Sequence, residues 1–334
     1  MKLGPWLLSA VLACLLEGTR GESAGEENGL PHDNLEGPFV TPGEGEGKKK
    51  EAALRESIKR INNLNSLSSG DNITAFYGIN QFSHLFPEEF RAIYLQCRAF
   101  KVPKYNREVS LEGTEKPLPA KFDWRDKKVI TQVRNQETCG GCWAFSIVGA
   151  IESVYAIKGN VLEEFSVQQV IDCSYNNVGC QGGSTVAALS WLNQTHVKLV
   201  KDSEYLFKAE TGLCHYFSRS DFGVSIIDYA AYDLSGQEDK MMKMLFHWGP
   251  LAVIVDAVSW QDYLGGIIQH HCSSGEANHA VLITGYDTTG ELQSFSYIFV
   301  QSSPILLIQK WDPQLHNFIS KFSNNLKTVG GLYL

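Results

Sequence analysis

Long apolar runs are what this chain most clearly lacks. The longest near the N terminus, Trp6 to Leu16, is eleven residues, whereas a membrane-spanning helix needs about 20. The later run from Tyr297 to Ile308 is interrupted by Gln301, Ser302, Ser303 and Pro304, so no membrane span is expected. Positive charge is also scarce: 29 Lys and Arg against 37 Asp and Glu leave a net charge of -8. The only basic run, Lys48-Lys49-Lys50, fits a solvated loop, and without a basic stripe nucleic acid is excluded as a partner. Zinc-ligand spacing is missing as well. No second close C-x-x-C and no suitably spaced histidine pair accompanies Cys139-Gly-Gly-Cys142, so neither a metal nor a cofactor is implied. What remains is ordinary for a globular protein with one sizeable core or two lobes, 43% hydrophobic and 20% charged over 334 residues.

The N terminus has the form of a secretory leader. Lys2 precedes the short apolar run, and small and polar residues follow from Gly18 to Gly21; this predicts a signal peptide over 1–21 with cleavage near Gly21. Residues 22 to about 46 are rich in Gly, Glu and Pro and predict disorder. From Glu51 the pattern turns helical, with Leu54, Ile58, Ile61 and Leu64 on one face and a stop at Ser68-Ser69-Gly70. Two acceptor tripeptides, Asn72-Ile-Thr and Asn193-Gln-Thr, are candidate glycosylation sites and agree with a secretory route.

The chemistry is concentrated in QETCGGCWAF, Gln136 to Phe145. The stretch from Trp143 to Gly159 is apolar nearly all round, as in a buried helix, and Cys142 stands on its first turn. Free N–H groups and a partial positive charge at a helix start favour a thiolate over a thiol, which makes Cys142 the candidate nucleophile. The rival reading of Cys139-Gly-Gly-Cys142 is a redox pair of the kind that opens a helix in thioredoxins.

Gln136 six residues before Cys142, with Cys139 three before it, resembles the active-site signature of the papain-like cysteine peptidases, the cathepsin family, with Gly141 where that signature carries Ser or Ala. The resemblance implies an α+β, two-lobed papain-like fold, a helical lobe plus a β-barrel-like lobe, preceded by a mostly helical inhibitory propeptide. It gives Gln136 the role of oxyanion donor and makes protein or peptide chains the substrates. ANHAVLITGY resembles the family's histidine motif and marks His279 as the base, at the start of a strand expected to turn at Gly285; His270 and His271 are the competitors. GCQGGST resembles the family segment whose backbone holds an extended peptide, so Gly182 and Gly183 are candidate substrate-binding residues. The block Gly249 to Ile268 reads as the start of the strand-rich lobe.

FYGINQFSHLFPEEFRAIYL resembles the second half of a cathepsin propeptide, with Gly78, Asn80 and Phe82 in place and His84 where Asp is usual. This implies a propeptide over 22–117, its inhibitor-like helical part at about 50–100, and a peptidase domain over 118–334 that starts near Leu118. By the same resemblance Cys139 pairs with Cys180 and Cys173 with Cys214, Cys97 stays in the propeptide, and Cys272 has no partner. The implied binding partners are the protein's own propeptide and cystatin-like inhibitors, the implied state a monomer, and the implied destination the lysosome by the secretory pathway, or the extracellular space.

The pattern breaks after Gly285-Tyr286-Asp287. The family continues into Asn-Ser-Trp-Gly, whose Asn orients the imidazole, yet no Asn occurs here between His279 and Asn317. Two functions are therefore expected in competition: a lysosomal cysteine endopeptidase precursor, or a catalytically impaired papain-fold isoform that binds peptides or inhibitors without efficient turnover. Residues 291–334 diverge from the family, and only Phe295 to Val300 reads as a replacement strand, which predicts unpaired sheet edges.

Overall fold

The computed structural model describes residues 42–67, 75–98, 117–215, 223–234, 237–268, 277–289, 293–298, 306–310 and 327–333. The leader with its cleavage point, Asn72, His270, His271 and Cys272 lie outside these residues.

An N-terminal arm comprises α1 (Pro42–Leu67), a two-residue strand β1 (Phe76–Tyr77) and α2 (Pro87–Tyr94), running on to residue 98. Helix α1 begins earlier than the sequence pattern predicts, so residues 42–46 are helical rather than disordered. Proline is well suited to a first helical position, and Glu46 pairs with Lys50 one turn on. Its buried face also differs from the expected stripe. Ala53, Ser57 and Ile61 are buried while Ile58 is exposed, because small side chains let the helix lie close to the body. The second half of the arm is fixed by rings packed at an angle: Phe82 lies 5.3 Å from Phe90 and 5.0 Å from Tyr94 between ring centroids.

The body opens with β2 (Lys121–Asp123), followed by α3 (Cys142–Ile157), α4 (Val167–Cys173) and α5 (Thr185–Thr195). All of α3 except Tyr155 and Ile157 is buried, as its all-round apolar pattern requires. Then come β3 (Asp228–Asp233), α6 (Glu238–Trp248), β4 (Leu251–Val255), β5 (Tyr263–Gly265), β6 (Ile267–Ile268), β7 (His279–Asp287), β8 (Gln293–Ile298), β9 (Leu306–Lys310) and β10 (Lys327–Tyr333). The strand-rich part thus starts at β3, some twenty residues before the Gly249 block in which the sequence places it.

One sheet runs in the order β3-β10-β4-β7-β8-β9-β6, with β2 also paired to β7. Among the described residues it does not close, so the second lobe is an open sheet rather than a barrel. Strands β8, β9 and β10 all come from 291–334, and β10 pairs with both β3 and β4; the divergent tail fills the edges it was expected to leave bare. Strand β7 does not turn at Gly285 but continues to Asp287 with a register irregularity between Ile283 and Gly285. Glycine is needed there for contact: a Cβ would sit 2.5 Å from the Phe122 carbonyl oxygen on β2.

The two central strands are buried on both faces. Ala252, Ile254, Ala280 and Leu282 point into the core around α3, while Leu251, Val253, Val255, Val281 and Ile283 point into a second core. That second core includes Ile61, Tyr77, Phe82 and Phe90 of the arm, and each such side chain buried contributes about 1.5–3 kcal/mol. Around Asp262 the arm is also clasped by polar contacts. Arg60 Nε donates to Asp262 Oδ2 at 2.6 Å, Ser83 Oγ donates to Asp262 Oδ1 at 3.1 Å, and the Gly78 N–H donates to the Asp262 carbonyl at 2.9 Å.

Disulfides Cys139–Cys180 and Cys173–Cys214 staple the helical side, each across 41 residues. Cross-linking a loop of that length stabilises by about 4 kcal/mol in the chain-entropy account. The double replacement Cys173→Ser with Cys214→Ser is therefore expected to lower the thermal midpoint by about 8–16 °C, read by calorimetry of the full chain. An unchanged midpoint would place the staple's benefit elsewhere. Among the described residues no helix is long and apolar enough to cross a membrane.

Candidate active site

Helix α3 delivers its first residue to the junction of the helical side and the sheet. Gly141 caps it, and a Cβ at that position would lie 3.0 Å from Ile171 Cδ1 and 3.2 Å from Cys139 Sγ, so the turn approaching Cys142 is packed tightly. Because Cys139 is bonded to Cys180, the sulfur of Cys142 is left free, and the redox-pair reading of Cys139 with Cys142 fails. Strand β7 delivers its own first residue, His279, to the same point. Both side chains are fully buried, and the Cys142 sulfur is in contact with the imidazole.

Burial alone would push the Cys142 thiol up. The neighbouring Cys97, His279 and Ala280 backbone outweigh it and hold Cys142 well below its ordinary value. Cys142 therefore has the character of a thiolate. Trp260 stands edge-on to the imidazole, with ring centroids 6.4 Å apart and planes at 76°. Asn278, the neighbour of His279, is anchored by its N–H to the Val255 carbonyl at 2.9 Å and by its Nδ2 to Asp256 Oδ1 at 2.8 Å. The entry to β7 is thereby fixed even though the sequence has no Asn in the family's orienting position.

Gln136 is also fully buried. Its Nε2 donates to the Cys139 carbonyl at 2.9 Å and to the Tyr94 carbonyl of the arm at 3.2 Å. An amide that already meets one carbonyl oxygen is placed to meet another once the arm leaves. Gln136→Ala is expected to lower kcat on a peptide by about 10^2- to 10^3-fold with little change in KM, measured after removal of the arm; an equal loss in substrate binding would count against an oxyanion role.

The glycines Gly182 and Gly183 hold an extended chain, and that chain is the arm. The Gly183 N–H donates to the Gln96 carbonyl at 3.2 Å, the Arg98 N–H donates to the Gly183 carbonyl at 2.8 Å, and Cys97 forms a parallel bridge with Gly183. On the other wall the Cys97 N–H donates to the Asn278 carbonyl at 2.9 Å. Gly182 has φ +107°, and a Cβ there would lie 2.3 Å from the Gln96 carbonyl oxygen; no other residue allows so close an approach. A Cβ at Gly183 would meet the Trp143 ring at 2.7 Å.

Sequence reasoning missed the arm residues in the site, Tyr94, Gln96 and Cys97. Cys97 is buried, and its sulfur makes a hydrogen bond with Cys142 and another with the Thr185 N–H. Contact with Cys142 together with burial pushes the Cys97 thiol well up. An unpaired cysteine closing the apolar run Ile93-Tyr94-Leu95 was the available signal. Asn193 lies on α5 with its side chain half-buried. No group of three His, Cys, Asp or Glu side chains suited to a metal ion occurs among the described residues.

The family model described as papain family cysteine protease matches residues 118–305. Cathepsin O of Homo sapiens is 65% identical over 266 residues, which is 80% of this chain and 82% of that protein. Cathepsin O of Mus musculus is 61% identical over 243 residues, 73% of this chain and 78% of that one. Among solved structures, digestive procathepsin L 3 of the Tenebrio molitor larval midgut superposes with a TM-score of 0.73 at 25% identity, covering 89% of this chain and 95% of that one.

Proposed function

The chain belongs to the papain family of cysteine proteases, and from that premise we propose that it is the latent precursor of a cathepsin O-like endopeptidase acting through Cys142, His279 and Gln136. Residues 1–21 are its leader, 22–117 its inhibitory propeptide and 118–334 its peptidase. It travels the secretory route to the lysosome, works as a monomer and is open to cystatin-like inhibitors once its propeptide is gone.

The observation that carries the reading is that Cys142 and His279, each the first residue of its element, are buried together beneath residues 94–98 of the arm. In the mature protein a peptide takes the place of those residues along Gly182 and Gly183. The Cys142 thiolate attacks the scissile carbonyl, and the oxygen that gains charge is met by Gln136 Nε2. His279 gives its proton to the leaving amine, and water, activated by the now neutral imidazole, hydrolyses the acyl-enzyme. In the precursor the Tyr94 carbonyl holds Gln136 and Cys97 lies on Cys142, so both reacting positions are covered.

Recombinant mature protein is expected to hydrolyse a fluorogenic peptide at acid pH and to take an epoxide or vinyl-sulfone label on Cys142, while the uncut precursor does neither. Labelling without turnover would instead point to a peptide-binding protein that has lost its orienting Asn.

A further inference from the structure

We infer that Cys97 and Cys142 form a reversible disulfide that locks the full-length chain in its latent form. These are the two cysteines among the described residues outside the structural bridges, both buried in the same core and in side-chain contact. Cys97 is also fixed in place. Its N–H is held by Asn278, its flanking residues Gln96 and Arg98 are both bonded to Gly183, and its sulfur takes the Thr185 N–H at the start of α5. A covalent link requires the two sulfurs to close to about 2.05 Å with the Cβ–S–S–Cβ dihedral near about ±90°. The bland alternative is that Cys97 merely fills a subsite as a small apolar side chain; it accounts for the burial but not for sulfur meeting sulfur.

A route in exists. A groove of about 540 Å³ opens beside Cys97, lined among others by Glu88, Arg91, Gln96, Arg98 and Asn278. Two arginines against one glutamate suit an anionic small-molecule disulfide such as oxidised glutathione. Cys97, which lines the groove, gives up its proton and attacks one glutathione sulfur, expelling the first glutathione. The Cys142 thiolate then attacks the Cys97 sulfur of the mixed disulfide and expels the second. Two protein thiols are oxidised to one cystine, one glutathione disulfide is reduced to two thiols, and the two protein protons end on the two glutathiones.

The lock rests on the reading of the arm as the inhibitor of Cys142 and adds a second condition to release. Cutting the chain between residues 98 and 118 frees nothing while the bridge stands, so maturation requires both a cut and a reductant. The test equilibrates the full-length chain in glutathione buffers of defined ratio, quenches with acid, alkylates and maps peptides without reduction. Under oxidising ratios the Cys97 peptide is expected to be joined to the Cys142 peptide, to separate in dithiothreitol and to be absent as a pair in Cys97→Ser. In the nicked wild-type chain, vinyl-sulfone labelling of Cys142 is expected to be at least ~10-fold lower oxidised than reduced. Alkylation of both sulfurs while Cys139–Cys180 and Cys173–Cys214 stay bonded would overturn the lock, as would a bridge from either to Cys272. Thiol mapping needs no turnover, so a chain that bridges but never cleaves peptide would sink the peptidase reading alone.

Discussion

Cys142→Ala in the matured protein is expected to remove peptide hydrolysis to the assay background, a loss on the order of 10^6-fold in kcat when a nucleophile is deleted. His279→Ala is expected to cost about 10^2- to 10^4-fold and to leave a signature that mere damage would not. In the wild type the thiolate persists as pH falls until the lowered Cys142 value is crossed. Removing the imidazole takes away its support of the thiolate, so that crossing moves up. Label uptake by His279→Ala should therefore lag most in mildly acid solution and draw level as pH approaches the ordinary thiol range. Cys97 leaves with the arm, which makes His279 the main support of the thiolate after maturation. Equal lag at every pH would mean that His279 does not set the ionisation of Cys142.

Arg60→Ala is expected to release the arm in the uncut chain. Asp262 is fully buried, and the Arg60 guanidinium is its ion-pair partner across the arm–body contact. Without it the carboxylate stays in the interior with Ser83 Oγ and no counter-charge. Truncating one member of such a pair costs about 2–5 kcal/mol, equivalent to about 30-fold to several-thousand-fold weaker retention of the arm. The readout is vinyl-sulfone labelling of Cys142 in the uncut precursor, which should rise in Arg60→Ala and fall back towards wild type in Arg60→Lys. Labelling as slow as in the parent would show that the aromatic contacts of Phe82, Phe90 and Tyr94 hold the arm without the ion pair.

The helix behind Cys142 was legible because its apolar residues leave no polar face, and only a helix wrapped on all sides satisfies that pattern. The α+β, papain-like class was legible as what the family resemblance of the segment around Gln136, Cys139 and Cys142 implies. Local pattern failed where a distant partner decides. Gly285 reads as a turn until β2 is seen pressing on it. The residues of β9 and β10 find their partners through the register of β6, β8, β3 and β4, which a window of neighbouring residues does not contain. Cys97 reads as a cysteine of the propeptide, but nothing local places it against a sulfur 45 positions later in the chain. The same holds for Arg60 and Asp262, unremarkable charges until the fold buries them together.

The position of β10 also has a consequence for the order in which the molecule is made. Its partners β3 and β4 end at Val255 or earlier, yet β10 begins at Lys327, so on a ribosome moving at about 5–20 residues per second they emerge several seconds before the strand that joins them. During that interval two neighbouring backbones face a gap, while every cysteine of the helical staples is already outside the exit tunnel. The newborn chain thus oxidises one half before it can zip the other, and the hazard of off-pathway strand capture lasts until β10 arrives.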